Sequence, residues 1–177
     1  MPVFVMPIGE RPSAPKTFEC LDAFTRGYVV AMFWTECNVD NHDNLAEATF
    51  SDLSHVTLVA IMHDCDEWQK ANAALLEEAY ARGYDEEQAG HDYWLTRNGH
   101  GAGFWDRREL ECQSEEFERF TAIMVDASKS GDNALWDKAC ALRSALKEQS
   151  LGERLTKACQ NRSVDLYRGD DGKVYLA

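Results

Sequence analysis

Apolar residues recur at helical spacing along most of this chain. Phe18, Leu21, Phe24, Tyr28 and Met32 follow one another at steps of three and four, the repeat that lines one face of an α-helix, so a helix is predicted there. "NVDNHDNLAEATFSD" (38–52) has turn formers and no period, and reads as a loop. One long helix is predicted from about His55 to Arg82. Ser54 is its N-cap, with Leu53 and Leu58 placed for a hydrophobic staple around it. Leu58, Ile61, Met62, Cys65, Trp68, Leu75, Leu76 and Ala79 form its buried stripe, and Gly83 supplies the left-handed residue that ends it. A shorter helix begins after Asp85 and stops at Asn98-Gly99.

"GAGFWD" (101–106) is too short and glycine-rich for a helix and is predicted as a strand. Two amphipathic helices follow at 114–128 and 133–149. Ser114 caps the first, with Phe117, Phe120, Thr121 and Met124 inward; Leu135, Ala139, Leu142 and Leu146 line the second. A last helix spans about 151–161. "VDLYRGDDGKVYLA" closes the chain with two alternating runs around Asp171-Gly172, the signal of a β-hairpin. All four prolines lie in residues 1–16, which read as an extended lead-in. The expected fold is therefore α+β: one mostly helical domain over 17–177 with a small antiparallel sheet. A lone hairpin is marginal in water, so the strand near 101–106 is expected to join it.

Composition agrees with a single globular domain: 177 residues, 45 % hydrophobic and 11 % aromatic. The longest apolar run, "YVVAMFW", falls far short of the roughly 20 residues that cross a bilayer. "MPVFVMPIGE" lacks the basic start of a secretory leader, so no export is expected. The six cysteines form no C-x-x-C pair and read as reduced thiols.

Charge changes the picture more. The net charge is −13, and residues 27–90 carry most of it, with thirteen acids against Lys70 and Arg82. Between Gly27 and Gln69 there is no Lys or Arg, but there are Glu36, Asp40, Asp43, Glu47, Asp52, Asp64, Asp66 and Glu67. Such a block repels nucleic acid and attracts basic surfaces. These eight carboxylates are the candidate partner-binding residues. Asp64 and Glu67, off the buried stripe, are expected to be exposed.

The densest chemistry lies in "HDYWLTRNGHGAGFWDR" (91–107). An enzyme built there would use His91, Asp92, Arg97, His100 and Asp106, since a His beside a carboxylate serves as a general base. The rest of a mechanism is missing from the sequence: no nucleophile elbow, no H-E-x-x-H and no P-loop lysine. His63-x-Cys65 and Cys37 with His42 are the nearest approaches to metal pairs, and neither has a second pair at zinc spacing. No metal and no cofactor is expected. Read as scaffold, the stretch makes more sense. Gly90 admits another backbone, Asn98, Gly99, Gly101 and Gly103 turn the chain, and Trp94, Phe104 and Trp105 fill the core. Asp106 with Arg107, or with Arg97, would pin the strand.

"DEEQAGHDYWLTRNGHGAGFWDR" (85–107) and "DLYRGDDGKVYLA" (165–177) resemble the two signature blocks of small proteins carried by tailed bacteriophages and related mobile elements. "GYVVAMFWTE" (27–36) resembles that family's first helix. The chain departs from the pattern between Arg108 and Ser150, where a helical hairpin at about 109–150 stands in place of a short link. That hairpin's apolar stripes must be covered either by the body or by another copy of the chain. The family brings no established reaction; the resemblance implies a phage-type accessory protein of the bacterial host cytoplasm. The expected function is binding, with the acidic face engaging a basic or nucleic-acid-binding host protein, in the manner of DNA mimicry or counter-defence. Direct nucleic-acid binding and membrane association are not expected. The alternative is a small enzyme with the His/Asp/Arg site in 91–107.

Overall fold

The computed structural model describes residues 17–37, 45–111, 115–159 and 163–177. Seven α-helices and a two-stranded antiparallel sheet make up this part of the chain. The lead-in 1–16, Asp40, Asp43, His42 and the expected cap Ser114 lie outside the described residues.

Helix α1 (Ala23–Glu36) starts later than its apolar period does, because Asp22 accepts a hydrogen bond from the Thr25 amide at 2.9 Å and caps the helix there. Phe18 falls instead in a short 3-10 turn ahead of it. Helix α4 (Glu86–Asn98) runs from Asp85, which accepts from the Glu87 and Gln88 amides, to Gly99 in the left-handed conformation. The two helices cross in close contact. A Cβ on Gly27 would lie 1.8 Å from the Glu87 carbonyl oxygen, and one on Gly90 would lie 1.7 Å from that of Phe24. Each helix thus offers a bare backbone to the other. Around the crossing, Phe24, Tyr28 and Met32 of α1 and Trp94 of α4 are buried.

The predicted long helix is two helices, α2 (His55–Ala71) and α3 (Ala73–Ala81). Asn72 breaks it: its side-chain amide donates to the Trp68 carbonyl at 2.9 Å, and its φ of −117° leaves the helical region. The buried stripe is otherwise as expected, with Met62 and Leu75 only partly covered. Trp68 ties α2 to the core by stacking on Tyr93 at 4.4 Å and on Phe104 at 5.7 Å.

Residues 101–106 are not a strand. Gly101 (φ 76°) and Gly103 (φ 149°) turn the chain out of extended geometry, and Phe104–Asp106 forms a single 3-10 turn closed from Asp106 N–H to the Gly103 carbonyl. The Phe104 amide donates to Thr96 Oγ1 rather than to a sheet neighbour. Strands β1 (Leu166–Arg168) and β2 (Val174–Leu176) pair alone, in the register Leu166↔Leu176, Tyr167↔Tyr175 and Arg168↔Val174. Their support comes from elsewhere. Leu53 makes a parallel bridge to Val174, and the Ser54 amide donates to the Val174 carbonyl at 3.0 Å, docking the hairpin on the start of α2.

Helices α5 (Glu115–Ser130) and α6 (Asn133–Gln149) form a helical hairpin around Gly131 and Asp132. Of the four α5 residues expected inward, Phe117 and Thr121 are exposed and Phe120 and Met124 are half-buried. Two helices alone share one seam, and only Ala127, Ala139 and Leu146 are buried along it. None of the three belongs to the main core cluster. Helix α7 (Leu151–Ala158) returns at once to the body. A Cβ on Gly152 would lie 2.4 Å from the Phe104 carbonyl oxygen, so the segments that flank the hairpin meet directly. Among the described residues, no helix is long and apolar enough to cross a membrane.

Candidate functional site

The five residues proposed for catalysis do not converge. Asp92, fully buried, sits at the centre of one cluster. Arg107 grips its carboxylate with two nitrogens (Nε to Oδ2 at 2.5 Å, and NH2 to Oδ1), Tyr84 donates its hydroxyl to Oδ2, and Gln88 Nε2 donates to Oδ1 at 3.0 Å. Burial alone would push the carboxyl's pKa up. Hydrogen bonds from Arg107, His91 and Tyr84 outweigh it and hold the pKa below the ordinary carboxylate range. The expected pairing of Asp106 with Arg107 or Arg97 is thus replaced by Asp92 with Arg107, because the buried carboxylate is the one that needs a cation. Asp106 itself is exposed.

Arg97 belongs to a second cluster. It is 8 % exposed, donates to Asp64, and lies within hydrogen-bond reach of the Tyr28 and Tyr93 hydroxyls at 3.2 and 3.3 Å. Its guanidinium also faces the Tyr93 ring at 5.2 Å. Burial acts to lower its pKa; the two tyrosines and Asp64 outweigh that and raise it, so the cation is kept. His91 has its Nδ1 3.5 Å from Asp92 Oδ1 and its ring beside Trp34. His100 lies at the far end of α4, 3.5 Å from Glu36 and stacked on Trp94. What the block builds is a set of braces between α4 and its surroundings: to α2 through Arg97–Asp64, to the 104–110 segment through Asp92–Arg107, and to α1 through Trp94 Nε1, which donates to Thr35 Oγ1 at 2.7 Å. Asn98 adds a fourth, accepting at 2.7 Å from the Val164 amide ahead of the β-hairpin.

The acidic block divides in the same way. Asp64 is not a free surface charge, since it is the counter-ion of Arg97. Glu36 is drawn to His100, its side chain only 14 % exposed. Asp52 closes a capping box with Thr49; the Thr49 amide and hydroxyl hold its carboxyl below the usual range. Asp66 is exposed and bridges Lys70 at 2.6 Å. Glu47, in the left-handed region at φ 64°, and Glu67 are exposed and make no ion pair among the described residues. No group of three or more His, Cys, Asp or Glu among the described residues is arranged to hold a metal.

Trp105, expected in the core, is 43 % exposed, while Trp94 and Phe104 are fully buried. The 3-10 turn faces Trp105 outward, where it lines an open groove of about 300 Å³ with Phe117, Phe120, Arg143 and Lys147. The Lys147 ammonium sits 5.4 Å from its ring centre. Trp105→Ala should therefore cost about 1–3 kcal/mol, less than a fully buried aromatic and more than an exposed cation–π contact alone, as read from a urea unfolding curve. A larger loss would mean the ring is covered in solution.

Four features escaped sequence reasoning: Tyr84, the Arg107–Asp92 pair, Gly27 and Gly152. Gly27 had a signal, being a glycine inside an otherwise strong helical stripe, where it costs about 1 kcal/mol relative to alanine unless packing requires it. Compared with protein-family models, with curated proteins and with solved structures, the chain matches none of them.

Proposed function

We propose that the chain is a phage-type accessory binding protein of the bacterial cytoplasm, engaging a basic or nucleic-acid-binding host protein through exposed carboxylates. The observation that carries this reading is how the positive charge of 27–90 is spent. Lys70 and Arg82, its two cations, each bridge an acid one turn away, Asp66 and Glu78. Glu67, Glu77, Asp85 and Glu86 stay exposed without an ion pair among the described residues. Uncompensated carboxylates on rigid helices imitate a phosphate backbone, which carries about one charge per 1.7 Å of duplex axis. The enzyme reading requires His91, Asp92, Arg97, His100 and Asp106 around one pocket, and they are distributed over separate places.

The structure changes which residues test the proposal. Asp64 braces Arg97 and Asp66 bridges Lys70, so the residues that test the reading are Glu67 and Glu77, exposed and without an ion pair among the described residues. The expected result with E67K/E77K is an unchanged unfolding midpoint. Affinity for the basic protein recovered from a bacterial host and identified by mass spectrometry should fall at least about tenfold, and wild-type binding should weaken steeply with salt. Equal affinity of the two proteins for that partner, measured by titration calorimetry, would overturn the proposal.

A further inference from the structure

The hairpin α5–α6 leaves an apolar face that the body does not cover. Val125 is 45 % exposed, Thr121 lies open beside it, and Met124 is half-buried; Phe117, 37 % exposed, borders this face from the groove it shares with Trp105. A two-helix hairpin closed by a short turn has one seam; the same hairpin doubled makes a four-helix bundle with both faces of each helix packed.

The charge pattern says what completes it. Glu118 and Lys129 are eleven residues apart, about three turns at 3.6 residues per turn, so they stand on one flank of α5 beside Val125. The first turn of α5 carries Glu115, Glu116 and Glu118, and the last carries Lys129. Laid antiparallel on itself about the midpoint between Ile123 and Met124, the helix places Glu118 of each copy opposite Lys129 of the other. A parallel arrangement would set acid against acid. Antiparallel pairing also opposes the helix dipoles, setting the acidic start of one helix beside the basic end of the next. The surface is therefore self-complementary, as a two-fold interface must be.

We propose that the exposed face of α5 is a homodimer interface, its occupant the α5 of a second copy of this chain in antiparallel orientation. Sedimentation equilibrium of the full chain over a nanomolar to high-micromolar series should show a dimer. Val125→Glu should make it monomeric with unchanged far-UV circular dichroism, because Val125 is exposed in the single copy. Lys129→Glu and Glu118→Lys should each weaken association several-fold, and the double variant E118K/K129E should recover it, since the swap keeps every antiparallel pair opposite in sign. Three results would overturn the proposal. They are a wild-type chain monomeric at all concentrations, which would assign the face to a different protein, a dimer indifferent to Val125→Glu, and a double variant no better than the singles.

Discussion

Replacing Asp92 by asparagine should remove about 3 kcal/mol of stability, the low end of what breaking a buried ion pair costs, because Arg107, left without its partner, still reaches solvent at 27 % exposure. The carboxylate is fully buried and receives Arg107 through two nitrogens, Tyr84 and Gln88. Asparagine keeps the shape but offers one acceptor oxygen in place of two, and leaves the Arg107 guanidinium facing a neutral amide. Urea unfolding of D92N, R107A and the double variant measures the pair: the double should lose clearly less than the two singles together. Additive losses would show that the two side chains do not interact.

The same residue fixes an acid limit. Its folded pKa lies below its unfolded value of about 3.9. Between the two, the unfolded chain binds the extra proton, so stability falls as acid is added and is complete only above the unfolded pKa. D92N should show a flatter decline over that window.

Gly90→Ala should be about as damaging, with a loss of about 3 kcal/mol or more. Overpacking in a tight core commonly costs 1–3 kcal/mol when side chains can yield. Here the atoms met are the backbone oxygen, carbon and Cα of Phe24, at 1.7, 2.6 and 3.0 Å, and cannot rotate away. The gain of about 1 kcal/mol in helix propensity does not offset that. Gly27→Ala tests the converse contact, and Gly83→Ala, which meets nothing within 4 Å, isolates the cost of a positive φ alone. A thermal midpoint for Gly90→Ala equal to or above that of the parent would mean that α1 and α4 do not cross as described.

What was legible in the sequence was local. The caps Ser54, Asp85 and Gly99 and the Asp171-Gly172 turn act within a few residues, so their signals are written in neighbouring letters. The helical stripes were equally readable, since burial imposes a period. The failures share a cause. Arg97 finds Asp64 across 33 positions and Arg107 finds Asp92 across 15, and nothing in spacing selects those partners over Asp106. The strand expected at 101–106 failed because glycine content marks a turn without saying which way it goes. Asn72 was a helix breaker lost within a strong apolar stripe. For the candidate site, residue type identified chemically capable side chains, and only the fold showed that Asp92, Arg97 and Asp64 are committed to holding helices together.

Gly152 against the Phe104 carbonyl has a wider meaning. The path that leaves the body after Leu110 and the path that returns at Leu151 lie side by side, both residues fully buried. The α5–α6 hairpin hangs from this one doorway. Lengthening or shortening such an excursion changes the closure entropy slowly, by about 0.6 kcal/mol for each doubling of length, and rethreads nothing behind it. The α5–α6 hairpin can therefore change in length or shape while the core behind it stays the same.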